Sequence, residues 1–336
     1  MTTLPLQDDA ATDVRPRKIS RKATGADAVF VHSSRLVGAT VLVITGGVGI
    51  FLGWQAFPTL RHYGFAFFTE ESWQPEADVV GIAAALVGTF SVALVAMSIA
   101  FPLSLLTALY ISEYAPAKMK AFLVSMVDLM AAVPSIIWGL WGFGLIMPHA
   151  ARFALWLQQN LGWIPVFQVD ADPDAAVWDA SRYTASAFCA GIAVAMMVLP
   201  MSCAVMRQVF SQTPPGEKEA ALALGATRWG MIRSVVLPFG RGGIIGGTML
   251  GMGRALGETI AVLLIISPAF EVKGRILEIG TNTISALIAG RFGDASATQL
   301  SALLAAGFVL FIITLIVNTI AAVIVNRSRS GAETDA

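Results

Sequence analysis

The chain has 336 residues, of which 56% are apolar and 13% are charged, and its mean hydropathy is +0.72. Soluble domains are roughly 25% charged, so this composition excludes a soluble globular protein. The 22 basic residues balance the 22 acidic ones, which removes any argument for nucleic-acid binding from net charge. Cys189 and Cys203 lie about 21 Å apart if their segment is helical, too far for a disulfide.

Apolar segments long enough to cross a bilayer occur six times along the chain. A spanning helix needs about 20 mostly apolar residues. The segments of this length are Leu36–Phe57, Val79–Ile111, Ala121–Met147, Thr184–Met206, Arg241–Ser267 and Leu300–Val325. The sequence therefore predicts an all-α membrane protein with six transmembrane helices. The first apolar run is too long for a signal peptide, so we expect it to be a retained anchor.

Lysine and arginine are distributed unevenly between the connecting segments. Fifteen lie in the two tails and in the second and fourth loops, whereas six lie in the other loops. Because basic residues favour the cytoplasmic side, both termini are predicted to be cytoplasmic. We expect a disordered basic tail over 1–35, a membrane domain over 36–327 with an outer loop at 148–183, and a short cytoplasmic tail over 328–336.

The sequence shows no pattern typical of an enzyme active site. No G-x-x-x-x-G-K-[ST] motif occurs, so the chain has no P-loop of its own. The three histidines are scattered and make no metal-ligand cluster, and no arrangement indicates Ser–His–Asp chemistry. We therefore expect no catalytic residues, no metal and no cofactor.

Two features of the third apolar segment affect what a pathway through the bilayer can contain. Pro134 is expected to kink this helix and to free backbone carbonyls next to Ser135, and such a break can line a binding site. Asp128 lies about 10 Å into the segment, and we expect it to have a structural hydrogen-bonding role.

The cytoplasmic segment 207–240 carries the first strong motif. Residues 219–238 read E-A-A-L-A-L-G-A-T-R-W-G-M-I-R-S-V-V-L-P. The proline pair 214–215 suits the first turn of a helix, Gly225 suits a helix stop, and Pro238 suits the end of a second helix. A loop of this length with two helices of its own is long for a bare connection, so we expect it to dock into a partner.

This segment resembles the EAA loop of the permeases of ABC importers. The positions that match the family pattern are Glu219, Ala220, Ala221, Gly225, Val235, Leu237 and Pro238. The resemblance implies the type I ABC importer (MetI-like) permease fold, with this loop docked into a groove of a separate ATPase subunit. It also accounts for the missing P-loop, because ATP is then hydrolysed on another chain.

The fifth apolar segment contains two charged residues. Arg254 lies thirteen residues from each end of the segment, about 20 Å along a helix and near the bilayer midplane. Glu258 at i+4 is expected on the same helix face, where the two can pair. Intramembrane charges normally face a cavity or a partner, so Arg254 predicts a path for an oxyanion, with Glu258 weakening the attraction enough for release. A purely structural ion pair is the alternative.

The run R-A-L-G-E-T at 254–259 resembles the signature of the permeases of phosphate-specific (Pst) ABC importers, and the run 133–142 resembles another stretch of that family. Softer features, such as the outer segment 67–75, favour the larger PstC-type subunit over the PstA type. The resemblance implies a permease for inorganic phosphate in a bacterial inner membrane. The residues expected along the substrate pathway are Arg254, Glu258, Thr259 and Ser135.

The resemblance also implies partners: a PstA-like permease subunit in a heterodimer, a PstB-like ATPase dimer inside, and a PstS-like phosphate-binding protein outside. Closure of the ATPases on ATP is then expected to pull on the EAA loops and alternate access to a central cavity. Two other functions remain open. One is the same machine for sulfate or molybdate, because the charge of Arg254 does not distinguish tetrahedral anions. The other is an ion-coupled secondary transporter, against which the EAA loop argues.

Overall fold

The computed structural model describes residues 25–169 and 180–329. In this part of the chain the structure is helical apart from one small antiparallel sheet of two strands. The chain divides into two compact units, Met1–Ile50 and Phe51–Ala336. The described residues of the first unit are mainly the amino-terminal part of one long helix, and the second unit contains every other element.

The elements of the described residues follow one another in this order. The α-helices are α1 (Ala26–Tyr63), α2 (Ala66–Thr69), α3 (Ala83–Leu109), α4 (Ala117–Ala132), α5 (Ser135–Trp141), α6 (Met147–Leu161), α7 (Ala187–Ser211), α8 (Pro215–Ala223), α9 (Arg228–Met231), α10 (Leu237–Phe239), α11 (Arg241–Leu256), α12 (Ile260–Ile265), α13 (Ile284–Arg291) and α14 (Ala297–Arg329). The strands are β1 (Trp73–Gln74) and β2 (Val79–Val80), and π-helical turns lie at Tyr110–Tyr114, Gly142–Ile146 and Ile232–Val236. Short 3₁₀ turns lie at Pro75–Ala77, Pro165–Phe167, Ala180–Tyr183 and Phe292–Asp294.

Among the described residues, four helices are long and apolar enough to cross a membrane. They are α1, α3 with its following π-helical turn, α7 and α14, and they coincide with the first, second, fourth and sixth predicted spans. The number rises to six if each of two bent helix pairs is counted as one span. The predicted class, an all-α membrane protein, is confirmed.

The third predicted span is not one straight helix. α4 ends at Ala132, α5 begins at Ser135, and the helices on the two sides of the break are bent by 90°. Pro134 explains the break, because a proline drives the residue before it out of the helical region. Val133 accordingly has φ −68° and ψ 125°.

The predicted outer loop and the predicted disordered tail are both partly helical. The predicted outer loop 148–183 begins with most of α6, which runs to Leu161. The predicted disordered tail 1–35 is helical from Ala26 onward. The parts of the predicted tails and outer loop that lie outside the described residues are 1–24, 170–179 and 330–336.

The fifth predicted span is also interrupted, and the expectation of one helix over Arg241–Ser267 is wrong. α11 ends at Leu256, and three residues, Gly257–Thr259, separate it from the short helix α12. Gly257 follows the last helical residue with φ −94° and ψ 1°, outside the α-helical region, and so marks the first break. α12 ends at Ile265, and Ile266 has the extended angles φ −76° and ψ 155°. Pro268 follows two residues later and cannot continue a helix, because it has no amide hydrogen to donate.

α7 lies at the centre of the largest apolar core, which it forms with α3, α5, α6, α11 and α12. Small residues allow the helices to approach closely: a Cβ added to Gly251 would lie 2.5 Å from the Oγ of Ser202. Ser202 donates its hydroxyl to the carbonyl of Gly247, and Ser104 donates to the carbonyl of Leu199, each at 2.9 Å. Close packing and interhelical hydrogen bonds of this kind hold membrane helices together.

The strands β1 and β2 form a hairpin that contributes to a second apolar core. Trp73 pairs with Val80, and both are buried. Asp78, which has φ 56°, closes the hairpin; its Oδ2 lies 3.0 Å from the Nε2 of His62, and its Oδ1 accepts a hydrogen bond from the hydroxyl of Tyr63 at 2.8 Å. The hydrogen bonds from His62 and then Tyr63 lower the pKa of the Asp78 carboxyl.

Candidate functional site

The segment between α7 and α11 folds into the predicted helix–turn–helix. Gly225 follows α8 with φ +85°, a conformation that other residues rarely adopt, so the predicted helix stop is confirmed. The hydroxyl of Thr227 caps α9 by accepting a hydrogen bond from the Gly230 amide at 3.1 Å. The second helical stretch runs without a gap from Arg228 through the π-helical turn to Phe239, so it ends one residue after Pro238, close to the predicted end.

Four of the seven positions of the EAA pattern are exposed to solvent, and α8 has no buried residue. Glu219, Ala220, Gly225 and Pro238 are exposed, and Ala221 and Leu237 are half-buried. Beside them, Leu224 is 90% exposed, Trp229 55% and Leu222 43%. These three side chains lie on α8, on α9 and in the turn between them, and we call this exposed face the coupling surface. Large exposed apolar side chains on consecutive helices indicate an interaction surface.

Two contacts hold the coupling surface to the π-helical turn Tyr110–Tyr114, which continues α3. The Nζ of Lys218 lies 2.7 Å from the Oε1 of Glu113, whose side chain is only 7% exposed. The guanidinium of Arg228 lies 6.0 Å from the ring centre of Tyr114. The sequence analysis missed the ion pair, because its members are 105 residues apart and nothing in their local sequence links them.

Arg254 lies in the last turn of α11, and its side chain is exposed. Its Nη2 contacts the Sδ of Met197 on α7 at 3.4 Å. No carboxylate of the described residues forms an ion pair with it. A cation is favourable in this last turn, because the carboxyl end of a helix carries partial negative charge.

Glu258 is buried and has a different neighbourhood from Arg254. Its Oε1 accepts a hydrogen bond from the amide of Ala261 at 3.3 Å, in the first turn of α12. Its carbonyl accepts a hydrogen bond from the hydroxyl of Ser285 on α13 at 2.7 Å. The expected i+4 position beside Arg254 on one helix face is wrong, because α11 ends at Leu256, between the two residues. Glu258 instead caps α12 and joins it to α13.

Ser135 and Thr259 lie at the beginning of two short helices that pack against each other. A Cβ added to Gly139 of α5 would lie 2.8 Å from the Cα of Ala261 on α12, so the two helices approach very closely. Thr259 donates its hydroxyl to the carbonyl two residues before it at 3.1 Å. The break before α5 and the break before α12 are therefore each followed by a helix, and these two helices are in direct contact. No hydrogen bond of the described residues joins Ser135 to Arg254.

Asp128 lies in a contact that fits the structural role expected for it. Its Oδ1 is 3.7 Å from the Nη2 of Arg207, so the pair links α4 to α7. The side chain of Asp128 is 57% exposed, and ion pairs at exposed positions contribute about 1 kcal/mol or less.

The chain is similar to known permeases over most of its length. Residues 100–330 match the family described as "Binding-protein-dependent transport system inner membrane component". The phosphate transport system permease protein PstC 2 of Mycobacterium tuberculosis is 36% identical over 337 residues, which cover 98% of this chain and 100% of that protein. The PstC protein of Xylella fastidiosa is 36% identical over 290 residues, or 86% of this chain and 87% of the relative.

Solved structures show similarity of fold. A chain of a bacterial ABC transporter involved in the import of the acidic polysaccharide alginate has a TM-score of 0.52 at 17% identity, covering 89% of this chain and 96% of that one. A chain of the inward-facing MetNI methionine ABC transporter has a TM-score of 0.50 at 16% identity, covering 76% and 99%. The predicted MetI-like permease fold is confirmed. The chain belongs to the family of inner-membrane components of binding-protein-dependent transport systems.

Proposed function

We propose that this chain is a membrane-spanning permease subunit of an ATP-driven importer of inorganic phosphate. The observation that supports phosphate as the substrate is the 36% identity, over 98% of the chain, to a relative named a phosphate transport permease. The run R-A-L-G-E-T at 254–259 supports the same substrate. The sequence has no P-loop motif, so ATP is hydrolysed on separate subunits and this chain carries out no covalent chemistry.

The coupling surface receives the motion of the ATPases. Its exposed apolar side chains on a compact pair of helices suit a groove on a partner protein. The ion pair between Lys218 and Glu113 ties α8, at 2.7 Å, to the π-helical turn that continues α3, so a displacement of α8 is passed to a membrane-crossing helix. Rigid-body movement of packed helices then opens the pathway to one side of the membrane or the other.

Arg254 is the residue that we place in the path of the anion. It is exposed and has no acidic partner among the described residues, and it lies where the fifth span is interrupted. A guanidinium offers permanently charged, planar hydrogen-bond donors that match a phosphate oxyanion. The negative end of α11 and the buried carboxylate of Glu258 reduce the net attraction, so the ion binds weakly enough to leave.

Ser135 and Thr259 complete the proposed path at the two helix breaks. Interrupted helices line the translocation pathways of many transporters, because the break exposes polar groups at membrane depth. Both side chains are half-buried, so small movements of α5 against α12 change their access to an ion.

The partners follow from the family of relatives. We propose a PstA-like second permease subunit, a PstB-like ATPase dimer at the coupling surface, and a PstS-like phosphate-binding protein on the opposite side. The Lys and Arg distribution supports a cytoplasmic position for the coupling surface and both termini.

The test is ATP-driven uptake of radiolabelled phosphate by the reconstituted complex, with Arg254→Gln compared with wild type. We expect uptake to be lost while ATP hydrolysis, measured on the same preparation, shows that the complex is assembled. Arg152→Gln is the control, because that side chain is exposed and its Nε contacts only the carbonyl of Pro148 at 3.4 Å. Full uptake by Arg254→Gln contradicts the placement of Arg254 in the path of the anion. Uptake of sulfate in place of phosphate contradicts the proposal that phosphate is the substrate.

A further inference from the structure

The last spanning helix, α14, carries an asparagine whose side chain has no partner. Asn318 lies in the stretch Ala297–Val325, which is long and apolar enough to cross a membrane. Its side chain is exposed, and no described residue forms a hydrogen bond with its amide. Polar side chains within spanning helices are costly in lipid, so they normally face a partner or a water-filled cavity.

The neighbouring polar side chains of α14 are already satisfied within that helix. The hydroxyl of Thr314 donates to the carbonyl of Phe311 at 2.9 Å, and the hydroxyl of Thr319 donates to the carbonyl of Leu315 at 2.7 Å. Short polar side chains commonly bond to their own helix in this way. The amide of Asn318 makes no such bond, so both its donor and its acceptor are available to another molecule.

Contact with α11 places Asn318 at the depth of Arg254. A Cβ added to Gly253 would lie 3.4 Å from the Oδ1 and 4.0 Å from the Nδ2 of Asn318, so the amide lies against this glycine. Gly253 directly precedes Arg254, and one residue of an α-helix advances by about 1.5 Å. The amide of Asn318 is therefore at nearly the same level of the membrane as the backbone of Arg254.

Arg254 and Asn318 lie on the two sides of one exposed face of α11. Successive helical residues point about 100° apart, so Arg254 reaches α7 whereas Gly253 faces α14. Leu250 and Gly257 point between these two directions; Leu250 is 45% exposed, and Gly257 is exposed as well. The face between the guanidinium and the amide is therefore open in this chain.

An asparagine amide adds to this face a capacity that an arginine lacks. A guanidinium only donates hydrogen bonds, whereas a side-chain amide both donates and accepts them. Inorganic phosphate keeps a hydroxyl at neutral pH and can donate it to an amide oxygen, whereas sulfate has no hydroxyl at this pH. A site that hydrogen-bonds a hydroxyl of its substrate discriminates strongly against an analogue that lacks it.

We propose that Asn318 is a specificity residue of the anion path, which accepts a hydrogen bond from the hydroxyl of phosphate as the ion passes along the exposed face of α11. This inference rests on the proposed function and names the group that separates phosphate from sulfate there. Arg254 attracts either anion through its charge, and Asn318 favours the protonated one.

The test measures anion binding at this face through an introduced thiol in the assembled complex, without the phosphate-binding protein. Leu250→Cys places the thiol on the exposed face, about 4.5 Å along α11 from Gly253. Gly293→Cys is the control, because Gly293 lies in the 3₁₀ turn before α14 and an added Cβ there would meet nothing within 4 Å. The native Cys189 and Cys203 are free and buried, as the sequence analysis expected, so they contribute little background.

Alkylation by N-ethylmaleimide is followed by mass spectrometry of the labelled peptide while the complex hydrolyses ATP, so that each state of the cycle is sampled. Phosphate or sulfate replaces chloride at constant ionic strength. We expect phosphate to protect Leu250→Cys at about a tenfold lower concentration than sulfate, because one hydrogen bond to a charged ligand has this effect on binding. Neither anion is expected to protect Gly293→Cys.

Substitutions of Asn318 are then added to Leu250→Cys. Asn318→Leu removes the amide at similar size and is expected to abolish the preference for phosphate, whereas Asn318→Gln keeps an acceptor and retains part of it. Thr319→Val is the matched control, because the hydroxyl of Thr319 is already bound within α14, and it leaves the preference unchanged. A loss of packing alone does not change the ratio of the two protecting concentrations.

A preference for phosphate that survives Asn318→Leu overturns the assignment. A Leu250→Cys thiol that never reacts also overturns it, because a partner helix then covers this face. Normal phosphate uptake by the wild-type complex with equal protection by both anions overturns the role of Asn318 and leaves the proposed function intact. ATP hydrolysis without phosphate uptake overturns the proposed substrate, and better protection by sulfate in that case overturns the role of Asn318 as well.

Discussion

The ion pair between Lys218 and Glu113 allows a quantitative test of how the coupling surface is attached. The two side chains meet at 2.7 Å, and they are 20% and 7% exposed respectively. Lys218→Met removes the cation and leaves the buried carboxylate of Glu113 without a partner. Glu113→Gln keeps an acceptor for Lys218, whose ammonium lies closer to solvent.

The unequal burial predicts unequal costs for the two substitutions. Breaking a buried pair by removing one partner costs about 3 kcal/mol, and we assign this value to Lys218→Met because Glu113 is the more buried group. Glu113→Gln is expected to cost about 1 kcal/mol, the value of a neutral hydrogen bond. In the double variant no charged side chain is left without a partner. Lys218→Met is therefore expected to cost about 2 kcal/mol less in the Glu113→Gln background than in the wild type.

Hydrogen–deuterium exchange of the α8 amides in the assembled complex measures local opening directly. Since about 1.4 kcal/mol corresponds to a factor of ten, Lys218→Met is expected to accelerate exchange about 100-fold and Glu113→Gln about fivefold. The exposed Lys118 on α4, in Lys118→Met, is the control and leaves α8 exchange unchanged. If the double variant exchanges faster than Lys218→Met, the reasoning from a stranded carboxylate is refuted.

Three further predictions concern other contacts. Gly139→Ala forces α5 away from α12 and is expected to cost about 1–3 kcal/mol in thermal stability of the complex. The control is Gly144→Ala, which is expected to have little effect because an added Cβ there would meet nothing within 4 Å. Equal melting temperatures of the two variants contradict the close approach of α5 and α12. Leu224→Ser leaves the permease folded and lowers retention of the ATPase on an affinity column, and undiminished retention contradicts the docking surface. Because the hydrogen bond from His62 lowers the pKa of Asp78 below its ordinary 3.8, Asp78→Asn lowers stability above that pH. The difference from wild type disappears as the pH falls through the folded-state pKa, and a difference that persists in strong acid contradicts this.

The long apolar helices could be predicted because length and hydropathy are sufficient for them. α3, α7 and α14 lie where the apolar runs are, and Gly225 has the left-handed backbone that its place after a helix implied. Pro134 was correctly identified as a disruption, yet the size of the bend, 90°, depends on packing that no local pattern describes.

The candidate site was harder to predict because its geometry depends on a break that the apolar run conceals. The i+4 spacing of Arg254 and Glu258 holds only in a continuous helix, and Gly257 between them was not treated as a helix end. The capping of α12 by Glu258 and the hydrogen bond from Ser285 join distant parts of the chain. The contact of Asn318 with Gly253 has no sequence signal, because it joins two helices that are far apart in the chain.

The exposure of the coupling surface has a consequence for the cell that makes this protein. Leu224 is 90% and Trp229 55% exposed. Under the proposed function, a newly inserted copy without its ATPase displays these apolar side chains to the cytosol. Chaperones and quality-control proteases recognise such surfaces, and they act on whatever fraction remains uncovered. Under the proposed function, we therefore expect the lifetime of each copy to depend on the supply of ATPase, and copies in excess of the ATPase to be degraded first.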